Sequence, residues 1–428
     1  QEFMSRKGYD IRPYLPLFIG ISTGSCFGGV TTDVNVQPTG PFVLDDAGLE
    51  SGKTFTWKIM NDFYDVQTQL IQEKMMTPLK EWAKENYNMT IRSQNSYGTY
   101  MECSEMTMAA DYTETETLNM KDQTDIYRLW SGGAHIMDKL YSSETGAIGS
   151  MTYALTEQDL LYMSYNQFAA GINRIIWHGH SSSWGPDGPT QWPGHHGMGA
   201  GISARLDSRQ PGAMSYPEMN DHLGRVQQLL REGKSRTDLG ILHIRYGENT
   251  AYPFPRADAL QDHAGYYWTD MTLQDAGYTY DYFSPAYLML DDMVYDQSTG
   301  TLGKHVGYQA ILLNQQALPV KYAKKLLEFA KQGLKVVIVN DAATITPYSD
   351  LHKEDGSKES DAKLKVVMDE MKALNNVVTV KTEADAYDAL QDMEVRPRAE
   401  LVGSNAQILT QMRQDGERKY LFAYNYCS

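Results

Sequence analysis

Hydrophobic and polar positions follow two different periods along the chain. Between residues 54 and 86, apolar side chains recur at helical spacing with charged residues between them, which predicts one amphipathic helix or a pair of helices. The same spacing recurs over residues 125–139 and 157–170. Between these helices lie short runs that fit a strand, or a strand or loop, at residues 89–93, 146–152 and 173–177.

This alternation of helix and strand indicates parallel strands with helices packed outside them, as in a β/α barrel. In such barrels, the chemistry collects where strands end and loops begin. The segment 181–217 is rich in Gly, Pro, Ser and His and is longer than a simple connection requires. We therefore expect it to form part of a binding rim.

The pattern changes after Thr237. Buried-type strands are predicted at residues 239–244, 309–313 and 335–340, with a possible fourth at 377–381 and a helix at 320–332. Apolar strands joined by a crossover helix indicate a separate open α/β sheet. The charged segment 352–363 is predicted to be a solvated loop. Residues 408–413 and 419–426 form a predicted β-hairpin, which we interpret as the start of a β-sandwich.

Composition excludes several classes of function. The 38 basic and 54 acidic residues give a net charge of −16, which repels nucleic acid and anionic lipid surfaces. No apolar run has the roughly 20 residues of a membrane helix, and no signal peptide opens the sequence. No phosphate-binding loop or G-x-G-x-x-G motif is found, so no nucleotide cofactor is expected. The three cysteines lack metal-site spacing.

Carboxylates at strand ends are the first candidates for chemistry, because glycosidic cleavage requires two of them. Glu114 lies in a segment with three acids within six residues, and Glu144 lies among small residues 30 positions later. That distance is about one strand-and-helix unit, so both can end neighbouring strands and face one pocket. Glu116, in the same acidic segment, is predicted to be a surface or helix-capping acid.

Other polar and aromatic residues could bind a polyhydroxylated ligand. Arg92, Gln94 and Tyr97 follow the predicted strand 89–93. His178 and His180 end the strongest strand, where sugar binding is favoured over a zinc site because no third ligand has a suitable spacing. Tryptophans can stack on sugar rings or pack in a core; the candidates are Trp177, Trp184 and Trp192.

At these residues the chain resembles the α-L-rhamnosidases of glycoside hydrolase family 106. The segment 2–16 is similar to that family's EF…R-GYD…PYLP motif, and 93–98 is similar to its Q-A-Y-G loop. Asp111 begins a D-x-P-E-like segment in which Thr113 replaces proline. The remaining similarities follow in the family's order: Ser143-Glu144, residues 168–174 with Asn173, His178-Gly179, residues 191–194 with Trp192, and residues 420–425.

The resemblance implies an α/β architecture in three parts. These are the C-terminal portion of a (β/α)8-type barrel over residues 1–235, a flavodoxin-like α/β domain over 236–395, and the start of a β-sandwich over 396–428. The family's D-S-x-E segment, which carries a carboxylate expected to act in catalysis, is not found before residues 2–16 here. The sequence is therefore expected to be a fragment, which alone could be inactive.

The resemblance also implies an exo-acting α-L-rhamnosidase with an inverting two-carboxylate mechanism, calcium near the sugar, and a secreted or periplasmic location. Glu144 is the candidate base that activates water, and Glu114 is an essential acid, a metal ligand or a sugar-binding group. The residues implied for substrate binding are Arg92, Gln94, Tyr97, Asp111, Asn173, His178, His180 and Trp192. Two alternatives remain: a retaining β-galactosidase-like enzyme, and a non-catalytic carbohydrate-binding protein.

Overall fold

A computed structural model of the protein describes most of the chain. The described residues are 1–18, 49–94, 101–120, 122–148, 154–180, 182, 184–185, 187–189, 206, 208, 211–246, 267–340, 342–349, 359–403 and 408–425. Within these residues, no helix is long and apolar enough to cross a membrane.

The helices that the structure describes agree with the helical periods of the sequence and add several more. The α-helices are Glu2–Lys7, Leu49–Leu70, Thr77–Tyr87, Met106–Ala109, Thr117–Met120, Thr124–Ile136, Glu157–Ala169, Tyr216–Leu229, Thr272–Asp275, Val320–Lys331, Asp361–Lys372 and Asp385–Asp392. A π-helical segment, Ile71–Met76, links the two long helices that cover residues 54–86. Shorter 3₁₀ helices are Arg12–Phe18, Pro211–Met214 and Pro285–Met289.

Four parallel strands form the first sheet and lie side by side in chain order. They are Arg92–Gln94, Tyr112–Glu116, Tyr141–Thr145 and Arg174–Trp177. Residues 146–152 were expected to be a strand or a loop, and their described part, 146–148, is a loop that follows the strand Tyr141–Thr145. That strand was not predicted because its sequence, Tyr-Ser-Ser-Glu-Thr, has no apolar run, although most of it is buried.

Five parallel strands form the second sheet. Their spatial order is Tyr280–Phe283, Leu239–Leu242, Ala310–Leu313, Lys335–Val339 and Val377–Val380. The strand Tyr280–Phe283 was not predicted, because Asp281 interrupts its apolar pattern. That carboxylate is buried and satisfied: its Oδ2 lies 2.7 Å from His135 Nδ1 and accepts a hydrogen bond from the Tyr308 hydroxyl at 3.0 Å.

The helix Thr124–Ile136, here called the shared helix, packs against both sheets. On one side, its Tyr127 carbonyl accepts a hydrogen bond from the Tyr141 hydroxyl of the first sheet. On the other side, Tyr127 and Trp130 belong to the same apolar cluster as Leu312 of the second sheet. The opposite face of the second sheet is covered by the helices Val320–Lys331 and Asp361–Lys372. The apolar core is therefore continuous across the predicted boundary at residue 235.

A third, antiparallel sheet closes the described chain. The strands Ile408–Asp415 and Arg418–Asn425 form the hairpin expected from the sequence, and Lys234–Ser235 adds a short third strand. Phe422 and Tyr424 pack on the helix Glu157–Ala169. The prediction of a solvated loop at 352–363 is wrong for its last residues, because the helix Asp361–Lys372 begins there. Ser360 caps this helix by accepting a hydrogen bond from the Lys363 amide.

Two buried carboxyl groups lie where the loop 101–105 meets the second sheet. Glu102 accepts hydrogen bonds from the backbone amides of Ser104 and Arg245. Glu105 accepts one from the Ser284 hydroxyl at 2.6 Å. Burial raises the pKa of Glu102 to about 8 and that of Glu105 to about 7, and the charge of Glu105 contributes to the increase at Glu102. Both groups therefore bind protons more tightly in the folded protein than in the unfolded chain.

This pair predicts that the folded protein loses stability as pH rises from about 4.3, the ordinary pKa of glutamate, to about 8. The unfolded chain ionises near the lower end of this window, whereas the folded carboxyls keep their protons until the pH reaches about 7 at Glu105 and about 8 at Glu102. Glu105→Gln is expected to reduce the loss by roughly 1–3 kcal/mol, because the Ser284 hydroxyl and Gln72 amide can both reorient around an amide. Urea unfolding midpoints at pH 5 and pH 8 measure it. The exposed Glu417→Gln is the control, and an equal decline in all three proteins would contradict the prediction.

Candidate active site

One face of the first sheet carries both predicted catalytic glutamates and two of the predicted binding residues, Arg92 and Gln94. In a parallel sheet, partners in register point to the same side, and so do positions two apart on a strand. The register pairs Gln94 with Glu114, Glu114 with Ser142, and Glu116 with Glu144. Three carboxylates, Glu114, Glu116 and Glu144, therefore share one face, here called the glutamate face, near the carboxyl ends of the strands.

Glu114 is held tightly on this face. Its side chain is only 6% exposed, its Oε2 accepts a hydrogen bond from Ser142 Oγ at 2.8 Å, and Arg92 Nε lies 3.0 Å from the same oxygen. Burial raises the pKa of Glu114 above its ordinary value, and the charge of Glu144 raises it further, whereas Ser142, Arg92 and Arg174 lower it. Glu114 is thus held in one position by Ser142 and Arg92, and its pKa lies above the ordinary value.

Glu144 is the more accessible carboxylate. Its side chain is 31% exposed, and its Oε1 lies 4.0 Å from His178 Nε2. It is the penultimate residue of its strand, where the chain leaves the sheet. A group that exchanges a proton with water or substrate has to be reachable, so Glu144 meets this requirement better than Glu114 does.

Two further contacts join the fourth strand, Arg174–Trp177, to the second strand, Tyr112–Glu116, across this face. Arg174 Nη1 donates to the Tyr112 hydroxyl at 3.1 Å, and its guanidinium carbon lies 5.6 Å from the centre of the Tyr112 ring. Glu116 is 2% exposed and faces Glu144 in register, so the prediction of a surface acid is wrong. The glutamate face is therefore a mixed arrangement of carboxylates and guanidinium groups.

The opposite face of the first sheet fixes these strands through hydroxyl groups. Thr115 Oγ1 donates to the Tyr141 hydroxyl at 3.1 Å, and Thr145 Oγ1 donates to Gln167 Oε1 at 2.8 Å. Gln167 in turn donates to the Tyr127 hydroxyl of the shared helix. Because these buried groups satisfy one another, the backbone that carries the glutamate face is held in a single register.

Two of the predicted sugar-binding residues lie at the amino-terminal edge of the sheet instead. Asp111 Oδ2 accepts a hydrogen bond from the Ile91 amide at 2.6 Å, just before the first strand. Asn173 is buried, and its Oδ1 accepts one from the Tyr141 amide at 3.1 Å. Both side chains brace the starts of strands, so the structure does not bring them together with Glu114 and Glu144.

The other predicted binders divide into three groups. Arg92 and Gln94 lie on the glutamate face, and within the described residues Gln94 Nε2 is buried and has no hydrogen-bond partner. His180 lines a pocket together with Trp177 and Tyr216. Trp177 Nε1 donates to Asn220 Oδ1 at 2.8 Å. Trp184 is largely exposed, and Tyr97 and Trp192 lie outside the described residues.

Sequence reasoning missed Ser142, Tyr112, Arg174 and the inward direction of Glu116. A period of two through the correct strands would have found them, since Ser142 precedes Glu144 by two positions and Glu116 follows Glu114 by two. Among the described residues, no group of three or more His, Cys, Asp or Glu side chains could hold a metal ion.

Chemically, the glutamate face offers an accessible carboxylate beside a buried, cation-paired one. This suits a reaction in which one carboxylate activates water and neighbouring polar groups hold hydroxyls of a ligand. The basic residues are paired with carboxylates or tyrosine, so the face has no surplus of positive charge for a phosphate backbone.

Several solved structures share the fold at low sequence identity. A rhamnosidase from Novosphingobium sp. PP1Y matches with a TM-score of 0.66 and 18% identity, over 99% of this chain and 37% of that one. The β-galactosidase from Bacillus circulans sp. alkalophilus has a TM-score of 0.53 and 10% identity, over 86% and 62%. The β-galactosidase from Rahnella sp. R3 has a TM-score of 0.51 and 11% identity, over 88% and 64%.

At these low sequence identities the structural likenesses show the fold alone, and the family is shown by a match to a family model. The chain spans 37% of the length of the rhamnosidase that it matches. No curated protein matches it. The model of glycoside hydrolase family 106, described as alpha-L-rhamnosidase, matches residues 1–427. The resemblance stated from the motifs is thereby confirmed, and the chain belongs to glycoside hydrolase family 106.

Proposed function

We propose that the protein is an exo-acting glycosidase that removes terminal L-rhamnose, with Glu144 as a catalytic residue. The observation that carries this proposal is the position of Glu144: half-buried, near the carboxyl end of a central strand, and on the same face as Glu114. Membership of this family supports the reaction class, and the likeness to a rhamnosidase supports the choice of sugar.

We assign roles by accessibility and charge. Glu144 would take a proton from the water that attacks the anomeric carbon, which inverts the configuration there. Glu114, fixed by Arg92 and Ser142, would accept hydrogen bonds from sugar hydroxyls or tune the charge of Glu144. The second catalytic carboxyl group is expected in the D-S-x-E segment that the family resemblance implies.

We further propose the finer architecture that the resemblance implies. The first sheet would be part of a (β/α)8-type barrel, supported by four parallel strands in chain order with helices between them. The second sheet would belong to a flavodoxin-like domain. This is supported by its spatial strand order, which is 2-1-3-4-5 when its five strands are numbered in chain order. The third sheet would begin a β-sandwich. No step of this mechanism uses calcium. The proposed secreted or periplasmic location is tested by cell fractionation.

The substrate class is tested with the full-length protein that contains this chain. It is incubated with aryl α-L-rhamnoside and a panel of other aryl glycosides, with and without a chelator. Release from the α-L-rhamnoside alone is the expected result, and ¹H NMR of the first-formed anomer should show inversion. Release of galactose with retention would favour the β-galactosidase-like alternative, and binding without release would favour the carbohydrate-binding alternative.

A further inference from the structure

A second pocket lies beside the third sheet, between Gln414 and the segment 294–309. Its volume is about 640 Å³. It is lined by Arg236, by residues of the segment 294–309, by Arg398, and by Gln414 of the strand Ile408–Asp415. We call it the arginine pocket. None of the residues of the glutamate face lines it.

The walls of the arginine pocket are cationic although the chain carries a net charge of −16. Arg236, Lys304 and Arg398 line it, against one acid, Asp296. The Asp296 carboxylate is already engaged, because it accepts hydrogen bonds from the amide and hydroxyl of Ser298 at 2.9 and 2.6 Å. Three basic side chains therefore line the pocket against one acidic side chain.

Two of the three cations have carboxylate partners, and Arg236 does not. Lys304 lies 3.3 Å from an oxygen of Asp292, and Arg398 lies 3.0 Å from Asp238 Oδ1. Arg236 donates only to neutral acceptors: the carbonyls of Ser235 and His305 and the side chain of Gln414.

In the part of the chain that the structure describes, Arg236 Nη2 makes no hydrogen bond, and no carboxylate reaches ion-pair distance of this side chain. Burial lowers the pKa of Arg236, and the charge of Arg398 lowers it further, with Asp138 acting in the opposite direction. An anion in the pocket would relieve both effects.

The geometry brings the two arginines to one point. At Gly307, where φ is +70°, an added Cβ would lie 3.5 Å from Arg398 Nη2, 3.7 Å from Arg236 Cδ and 3.8 Å from Thr301 Oγ1. The absence of a side chain at Gly307 therefore leaves the space between these groups open. Arg398 Nη1 already donates to Asp238 and to the Thr237 carbonyl, and Arg398 Nη2 donates to the Gly307 carbonyl. A carboxylate seated there could accept a charge-assisted hydrogen bond from Arg236 Nη2 and another from the second N–H of Arg398 Nη2.

The remaining walls suit hydroxyl groups. Thr299 and Thr301 both line the pocket, and their hydroxyl oxygens lie 2.8 Å apart. Such hydroxyls can donate and accept, as sugar hydroxyls do. The volume falls in the range of roughly 300–1,000 Å³ that is typical of small-molecule sites and exceeds what a bare oxyanion fills.

We propose that the arginine pocket binds an acidic sugar, with its carboxylate between Arg236 and Arg398 and its hydroxyls on Thr299 and Thr301. This site goes beyond the proposed function and does not depend on it, because it needs no residue of the glutamate face. Since the pocket joins Gln414 of the third sheet to the segment 294–309, an occupant would also stabilise this junction by mass action.

Titration calorimetry on the full-length protein tests the proposal, with glucuronate as the probe, glucose as its uncharged analogue, and acetate and phosphate as bare oxyanions. Glucuronate is expected to bind at least about tenfold more tightly than glucose, as a charge-assisted hydrogen bond predicts. It should also bind more tightly than either oxyanion. Equal affinity for glucuronate and glucose would overturn the proposal, and so would acetate or phosphate binding as tightly as glucuronate.

Arg236→Gln is expected to weaken glucuronate binding by about tenfold to a hundredfold. The matched control is Arg231→Gln, which removes the same charge from an exposed arginine whose side chain donates to the Gln227 carbonyl. Circular dichroism establishes that both variants are folded. Unchanged glucuronate affinity in folded Arg236→Gln would overturn the proposal. The comparison of glucuronate with glucose on the unsubstituted protein decides the matter if that variant does not fold.

Discussion

Glu144→Gln is expected to lower kcat on an aryl α-L-rhamnoside by about 10²–10⁴-fold, which is the usual contribution of a general base. The amide keeps the size and hydrogen-bonding reach of the side chain but cannot take a proton from water. KM should change much less, because the substrate contacts on the glutamate face remain. Steady-state kinetics on the full-length protein, read as separate kcat and KM values, measures the effect.

The control for this substitution is Glu328→Gln, on an exposed position of the helix Val320–Lys331. It removes the same charge and should leave kcat unchanged. A kcat for Glu144→Gln within a factor of about three of the unsubstituted protein would exclude Glu144 as the base, since general bases contribute at least about a hundredfold. Unfolding midpoints of both variants separate a chemical effect from a loss of folded protein.

Glu114 gives a second comparison, because its surroundings differ. Its carboxylate is 6% exposed and is held by Arg92 and Ser142, so it cannot readily exchange protons with water. If Glu144 is the base, Glu114→Gln should disturb substrate affinity and the position of Arg92 rather than remove the proton acceptor. The two glutamates would therefore differ in how their loss divides between KM and kcat.

Apolar periodicity was sufficient to predict most of the second sheet. The strands Leu239–Leu242, Ala310–Leu313 and Lys335–Val339 are continuous apolar runs because helices cover both faces of the sheet. The strand Tyr280–Phe283 was missed for the opposite reason. Its buried Asp281 is hydrogen-bonded to distant residues of the chain, and no local pattern shows such a partner.

The first sheet shows why the candidate site was only partly predictable. The distance of 30 positions between Glu114 and Glu144 is that of one strand-and-helix unit, and the structure places them on neighbouring strands. Their strands are polar on both faces, however: one face bears carboxylates and the other bears hydroxyls that bond to helices. Hydrophobic patterning cannot locate such strands, so Ser142 and Arg174 were missed.

Asp111 and Asn173 show the limit of transferring residues through motif order. Both belong to segments that resemble family motifs, and both side chains hydrogen-bond backbone amides at the amino-terminal edge of the first sheet. A residue that fixes the start of a strand is as constrained as one that touches substrate. The motif alone does not distinguish a residue that fixes the start of a strand from one near its carboxyl end that can contact substrate.

The close contact between the shared helix and the second sheet gives the strongest prediction about stability. Gly132 lies against the strand Tyr280–Phe283, where an added Cβ would overlap the Tyr282 carbonyl oxygen and lie 2.8 Å from Phe283 Cβ. In a solvated helix, glycine to alanine stabilises by up to about 1 kcal/mol. At Gly132 the overlap involves backbone atoms, which cannot rotate away, so the steric cost should exceed that gain.

Gly132→Ala is therefore expected to destabilise the protein by on the order of 2–3 kcal/mol, the usual cost of overpacking a core. Gly224→Ala in the helix Tyr216–Leu229 is the matched control, because nothing lies within 4 Å of its added Cβ. That variant should be stabilised by roughly 0.5–1 kcal/mol. Urea unfolding midpoints of the two variants should thus shift in opposite directions. A shift of the same sign in both would mean that the shared helix does not approach the second sheet this closely in solution.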